Sequence, residues 1–369
     1  MKFSLQVRFC VITICMITFG SSYTALAQNI SYYTDQLGFF KVFDTGEIHQ
    51  IEHLPVQRIA MGGDYLFYED SQENLLYYYE GKTQRLTLTY PQMLTAARNF
   101  ALTNLGGGTN VFYNQDITNL ILDNQPPNIK YGDSIIAYIN YDGYLNVFKQ
   151  GDKYEIEGPF EARLTQNANY KVSNNSLAYI DISNRLQLWY NNEKTEVDDL
   201  VKNFWVGNNL VAFVDEFDEF IVYDKGDYVT LEEYPPNRVM LSNNFVAYID
   251  DDDHFNIYYN GEVEEITTTA VKIVSFKDDV VVWLDELGFL YYWQDGETEL
   301  LENVTPNEIK VDLNNIVYTD YDGRLKGVYK GKKVNYTNEI AERFELNGNV
   351  LQYQLNRSEI YFYWNGEVY

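Results

Sequence analysis

Residues 237–266 read NRVMLSNNFVAYIDDDDHFNIYYNGEVEEI and divide into four short extended segments. Asn237–Leu241 predicts a first strand, and Asn243-Asn244 a two-residue turn. Phe245–Ile249 is apolar at consecutive positions, which predicts a second strand buried on both faces. Asp250 closes it. Phe255–Tyr259 predicts a third strand rich in aromatics, Asn260-Gly261 another tight turn, and Val263–Ile266 a fourth strand. Paired Asn, Asp or Gly residues suit such hairpins because both central positions take positive φ.

This unit recurs along the chain. The second strand and its closing aspartate reappear as YLFYED, SLAYID, LVAFVD, FVAYID, VVVWLD and NIVYTD. The aspartates are Asp70, Asp181, Asp215, Asp250, Asp285 and Asp320, and the last four steps are 34, 35, 35 and 35 residues. ISYYTD, ending at Asp35, lies one period earlier. Asn104 and Asn140 fill the position in two weaker copies, and Leu355 fills it in the last. The step from Asn140 to Asp181 is 41 residues, which places about six extra residues near Tyr170–Asn175. A second marker keeps the register: eleven residues after the aspartate comes Gly46, Gly81, Gly151, Gly226, Gly261, Gly296, Gly331 or Gly366. Asn192 and Gln115 replace it in two copies. Glutamine suits left-handed backbone poorly, so the third copy is expected to turn differently.

All eight prolines lie between the fourth strand of one copy and the first of the next, where no ladder needs a donor. No stretch after the first 27 residues shows helical periodicity. Four-stranded antiparallel units repeated about ten times over residues 30–369 predict an all-β chain folded as a β-propeller. The first copy lacks a first strand unless residues before Ile30 supply one, and the last ends at Tyr369 within its fourth. One large ring is expected, the alternative being two smaller propellers joined near residues 170–175.

The opening residues have another character. Lys2 and Arg8 flank an apolar run from Phe9 to about Phe19, and Ala25-Leu26-Ala27 supplies the small residues of a cleavage site. Residues 1–27 therefore predict a signal peptide, leaving 28–369 as the propeller domain of a secreted or periplasmic protein. An uncleaved anchor is the alternative, but the run is shorter than the roughly 20 residues a spanning helix needs. Both cysteines, Cys10 and Cys15, fall in this leader, so the remainder has no disulfide, zinc–thiolate or thiol-nucleophile chemistry. The net charge is −27, and removing a leader without acidic residues makes the remainder more negative still. Such a surface repels nucleic acid and anionic lipid and favours cationic partners.

Candidate chemistry is sparse. Asp251, Asp252 and Asp253 exceed the repeat in one loop and are weak candidates for Ca²⁺, with His254 beside them. The recurrent aspartate suits a turn, where a carboxylate accepts backbone N–H groups, better than a ring of cation ligands. His49 and His53 stand about 13 Å apart along a predicted strand, too far to share one metal. No nucleophile elbow, phosphate loop or paired-histidine zinc motif occurs. Most of the 34 tyrosines fall at repeat positions that fill the space between blades. Trp205 departs from that pattern, in a first strand expected to line the central channel, and is the candidate ligand-binding residue.

The order of Pro-bearing linker, polar turn, apolar strand ending in Asp, aromatic strand and Gly turn resembles the repeats of TolB-like propellers. YYTD at Tyr32–Asp35 and VYTD at Val317–Asp320 are similar to YWTD propeller repeats. The resemblance implies the fold and, from the TolB side, a scaffold in an envelope complex. The leading expectation is a non-catalytic propeller binding a protein or glycan through one face or the channel. The alternative is a carbohydrate-active hydrolase or lyase using Asp and Glu from different blades.

Overall fold

A computed structural model describes residues 28–87, 94–105, 108–121, 129–159, 169–356 and 359–369. Ten antiparallel sheets follow one another along the chain, nine of four strands and the first of three. Each is a simple meander, with spatial order equal to chain order. We number them blades 1–10. Blade 7 comprises Arg238–Leu241, Phe245–Ile249, Phe255–Tyr259 and Glu262–Thr267, within a residue of the sequence expectation. Among the described residues there is no helix, and so none long and apolar enough to cross a membrane.

The core consists of layers between neighbouring blades rather than one central mass. Second strands supply both faces: Ala212 and Val214 of blade 6 meet Val246 and Tyr248 of blade 7, while Ala247 faces Trp283 and Trp293 of blade 8. Each interior blade is covered on both sides, which is why its second strand lacks polar alternation. Blades 4 and 5 form an equivalent layer, with Ile135 and Val147 against Leu177 and Trp189. The chain is therefore one ring rather than two joined propellers.

Among the described residues closure uses no exchanged strand. Blade 1 holds only Ile30–Thr34, Phe40–Asp44 and Glu47–Glu52, and blade 10 holds four strands of its own. Phe43 stacks on Phe362 at 4.6 Å, the Asn349 amide donates to the Gln28 carbonyl at 2.9 Å, and Ser31 bonds Gln352 at 2.7 Å. The seam is thus side-chain packing plus the turn belt described below.

Three local expectations are corrected. The extra residues, expected near Tyr170–Asn175, precede Tyr170: the linker from Glu157 to Tyr170 is long, and Tyr170–Val172 pairs regularly with its blade. The middle of that linker, 160–168, lies outside the described residues. Gln115 does not make the third copy turn differently. Asn114 and Gln115 take φ of 49° and 65°, matching Asn260-Gly261 at 53° and 89°, because the hairpin register imposes the turn on whatever residue occupies it. The first turn of each blade is less uniform than expected. Neither Asn243 nor Asn244 is left-handed, whereas Leu313-Asn314 in the corresponding turn of blade 9 is left-handed at both positions. These turns bond to the next blade, which overrides hairpin preference.

The sheets also bulge at a fixed place. In blades 1 to 8 the fourth strand slips one residue near its end, leaving Ile51, Leu86, Leu120, Ile156, Val197, Leu231, Ile266 or Leu301 unpaired. A bulge bends the strand and re-aims its side chains. It brings the following glutamate to the next blade's tyrosine: Tyr68 donates to Glu52 and Tyr248 to Glu232, both at 2.9 Å.

Candidate functional site

Residues just before the first turn of each blade control how closely the ring converges. In blades 2 to 7 they are Gly62, Ala97, Gly132, Ser173, Gly207 and Ser242. A Cβ on Gly132 would lie 1.9 Å from the Ser173 carbonyl oxygen, and one on Gly207 would lie 2.2 Å from that of Ser242. Neither glycine has positive φ, so close backbone approach alone requires them. Blades 8, 9 and 10 place Lys277, Asp312 and Asn347 at this position, and these line a central cavity of about 670 Å³.

Arg98, from the first turn of blade 3, reaches across that cavity. Its guanidinium lies 3.0 Å from Asp133 of blade 4, 2.5 Å from Asp278 of blade 8 and 3.7 Å from Asp312 of blade 9. Asp278 and Asp312 use their second oxygens on the amides of Leu313 and Gly348, each at 2.8 Å, and Lys277 adds a 2.7 Å contact to Asp312. Burial works against the Arg98 charge, but Asp133, Asp278 and Asp312 outweigh it and raise its pKa. Burial raises the Asp133 pKa against the pull of Arg98. The channel is therefore pinned by an ion cluster joining blades on opposite sides of the ring.

Beyond Arg98 the channel opens into a second space of about 640 Å³, over the first and second turns of blades 3 to 6. Asn99, Asn114, Gln150, Asn175, Asn191 and Asn208 contribute amides to its wall, with Tyr65 and Tyr113 beside them. Among the described residues, the side chains of Asn114, Gln150, Asn175 and Asn191 make no hydrogen bond, and the Asn208 side-chain oxygen is buried without a partner. These amides arise from turn chemistry. Asn114, Gln150 and Asn191 sit left-handed at φ of 49°, 54° and 50°, a conformation asparagine tolerates best after glycine. Lys149, the last residue of its blade's third strand, also lines the cleft while only 7% exposed.

The repeated aspartate is a turn residue throughout. Its Oδ1 accepts the amides two and four residues on: from Leu37 and Phe39 at Asp35, Gln72 and Asn74 at Asp70, Leu287 and Phe289 at Asp285, and Asp322 and Arg324 at Asp320. Asn140 does the same for Asp142 and Tyr144. At Asp250 the donors are Asp252 and His254, so Asp250 belongs to the series. Asp251, Asp252 and Asp253 are exposed on that loop, with Asp253 bonded by Asn237 at 3.2 Å. His254 lies 3.6 Å from Asp250 and 3.7 Å from Glu265. Among the described residues no three His, Cys, Asp or Glu side chains are arranged to hold a metal. His49 and His53 do not share a strand, which ends at Glu52, and His53 bonds Gln50 at 3.0 Å.

Trp205 occupies a first strand, Asn203–Val206, but its neighbour Val206 is the residue that lines the channel. Trp205 points between blades 6 and 7, edge-on to Phe220 at 6.1 Å, with the Lys171 ammonium 5.1 Å from its ring. Its slot holds Lys130, Lys171 and Lys310 in other blades, each of which reaches the next blade's backbone carbonyl. Sequence reasoning passed over Arg98 and Lys149. Aligning the copies column by column supplies the signal. Arg98 is the cation in a column of Gly, Asp, Asn, Gln and Leu, and Lys149 is the cation in a column of Tyr, Asp, Gln and Trp.

Comparison with known proteins agrees with the blade count. A profile describing a 10-bladed beta propeller domain matches residues 24–369. The chain belongs to the 10-bladed beta-propeller family. That family match is to the ten-bladed ring and not specifically to TolB-like or YWTD propellers. No curated protein matches the chain. Among solved structures, the computationally designed Ika8 protein is similar over 84% of this chain and 96% of its own, at 11% identity and a TM-score of 0.34. The tricorn protease is similar over 92% of this chain and 45% of its own, at 12% identity and a TM-score of 0.34. The CRINKLY WD40 ectodomain of an Arabidopsis thaliana receptor kinase is similar over 67% and 98%, at 10% identity and a TM-score of 0.35. Likenesses this distant carry no argument about this ten-bladed propeller.

Proposed function

We propose that this ten-bladed propeller is an exported, non-catalytic binding protein that takes a glycan in the amide-rich cleft at the mouth of its channel. The observation that carries the reading is the set of free amides on Asn114, Gln150, Asn175 and Asn191, converging on one concave space beside Tyr113. Sugar hydroxyls both donate and accept, and so do side-chain amides, whereas a tyrosine ring offers an apolar face to a sugar ring. The turns that carry the amides are held by two-residue hairpins, so the donors are fixed before a ligand arrives. Titration calorimetry of hits from a glycan array tests it, using an Asn175→Ala/Asn191→Gly variant, glycine keeping the left-handed turn at position 191. Affinity should drop at least tenfold with the melting temperature unchanged, and equal affinity refutes the cleft. Turnover of a polysaccharide by the wild type, lost on changing cleft carboxylates, would replace this reading with the hydrolase or lyase one.

A second reading, a protein-binding scaffold, is favoured by the opposite face. The loops between second and third strands expose Leu37, Tyr141, Ile182, Phe217, Leu287 and Tyr321, with Tyr141 88% exposed. Each of these loops is clamped by its aspartate or asparagine, and acidic residues surround them, which suits a basic protein surface. Stable co-purification of one partner, abolished by Phe217→Ser/Leu287→Ser/Tyr321→Ser, is the result this reading expects.

A further inference from the structure

We infer that the cleft selects acidic glycans, with the Lys149 ammonium taking the ligand's carboxylate. This deepens the glycan reading and rests on it. Lys149 ends the third strand of blade 4 and is 7% exposed, yet among the described residues it makes no hydrogen bond or ion pair. The Trp189 ring of blade 5 lies 5.4 Å from its ammonium. A buried charge without a partner is costly, and most proteins pair it or neutralise it. Burial lowers the Lys149 pKa accordingly.

The repeat shows how this site was made. In blade 1 the same column holds Asp44, which accepts the Tyr78 hydroxyl of blade 2 at 2.8 Å. In blade 6 it holds Asp224, which accepts the Tyr258 hydroxyl of blade 7 at 3.1 Å. In blade 4 the column holds Lys149, and the facing position of blade 5 holds Trp189. Where blades 1 and 6 close an inter-blade bond, blade 4 has an ammonium that lines the cleft and rests on a π face. Trp189 can stabilise the cation but cannot accept its hydrogen bonds, so those remain for a ligand.

Charge around the cleft points the same way. The whole chain carries −27, whereas the ionisable cleft-lining residues besides tyrosine are Arg98, Lys149 and Asp133, and Arg98 is already shared among Asp133, Asp278 and Asp312. Asp133 is engaged by Arg98 at 3.0 Å, which leaves the Lys149 charge uncompensated. A uronic-acid-type carboxylate is the partner that neutralises it while sugar hydroxyls meet the surrounding amides.

The test is a glycan array holding neutral glycans and their carboxylated counterparts, read with the full chain and with Lys149→Met and Lys149→Arg. Hits confined to carboxylated glycans, weakened at least tenfold by Lys149→Met and largely restored by Lys149→Arg, are the expected result. Lys149→Met should also melt at the same or a higher temperature than wild type, since it removes an unpaired buried charge; a protein that loses binding because it misfolds would melt lower. Neutral and carboxylated glycans binding alike, or carboxylated hits indifferent to Lys149→Met, would overturn the inference and leave the glycan reading standing. No glycan bound by the wild type overturns both.

Discussion

Replacing Asp285 separates the turn role of the repeated aspartate from any role as a ligand. Its Oδ1 accepts the Leu287 amide at 2.9 Å and the Phe289 amide at 2.8 Å, and no cation contacts its carboxylate among the described residues. Asp285→Ala removes both bonds. The Leu287 amide is exposed and regains water, while the part-buried Phe289 amide leads into the strand Leu290–Gln294. Charge-assisted bonds contribute roughly 1.5–3 kcal/mol each and the exposed one less, so the alanine variant should lose about 2–3 kcal/mol. Asp285→Asn keeps the accepting oxygen, in the geometry Asn140 already uses for Asp142 and Tyr144, and should lose about 0.5–1 kcal/mol. A ring of this size unfolds with an entropy on the order of 0.7 kcal/mol/K, so the alanine variant should melt about 3–4 °C below wild type and the asparagine variant about 1 °C below. Calorimetry in EDTA and in calcium is the assay. Equal losses for the two variants would refute the reasoning, and so would a deficit that appears only in calcium.

Arg98→Met leaves Asp133, Asp278 and Asp312 around the channel with only Lys277 to answer them. A loss of roughly 3–5 kcal/mol at pH 7 is expected; denaturant midpoints should show the deficit shrinking on acidification as Asp133, whose pKa burial raises, takes up a proton. Stability of the wild type should also depend on pH in two stages. Burial raises the pKa of Asp64, Glu69, Asp133, Asp198, Glu232 and Asp279, so these groups destabilise when ionised, and acidification from pH 7 toward the ordinary carboxylate range relieves them. Burial also opposes Asp70, Asp181 and Asp320, but amide and cationic partners hold their pKa values below the ordinary range; their contribution is present above that range and lost as pH falls through it. Melting temperature should therefore rise modestly into mild acid and then collapse below about pH 4, and a monotonic fall from pH 7 would contradict the assignment. Gly132→Ala drives a Cβ to 1.9 Å from the Ser173 carbonyl, and should cost about 1–3 kcal/mol by denaturant titration, whereas Gly226→Ala, with open space but a φ of 110°, should show backbone strain of about 1 kcal/mol or more.

The fold was legible because two independent markers, an aspartate and a glycine, share one period, and because an uninterrupted apolar strand such as Phe245–Ile249 fits only where a sheet is covered twice. Blade boundaries followed from the prolines. Errors arose where spacing constrains a sum but not a position: the Asn140-to-Asp181 interval shows that residues were inserted, yet the interval alone does not place them before Tyr170. Gln115 was misjudged because its intrinsic preference was weighed against a hairpin register that outranks it. Trp205 was expected in the channel from its strand alone, but side chains in a strand alternate, so Val206 faces the channel and Trp205 faces blade 7.

The candidate site was hidden for a different reason. A repeat draws the eye to what recurs, and recurrence here encodes packing: Tyr248, Phe245 and Asp250 appear in register because every blade faces the same neighbours. A binding site in such a ring has to break that equivalence, since ten identical blades would offer ten identical weak surfaces. The breaks that matter are paired across an interface. Lys149 alone would read as a stray surface cation, and Trp189 alone as one more aromatic. Together they occupy the positions at which Asp44 bonds Tyr78 and Asp224 bonds Tyr258 in blades 1 and 6, and they make no such bond. Reading each column of the repeat against the column it touches in the next blade therefore separates a change that preserves packing from one that gives up a bond. Lys149, resting on the buried Trp189 ring, is of the second kind, in the cleft where free amides gather.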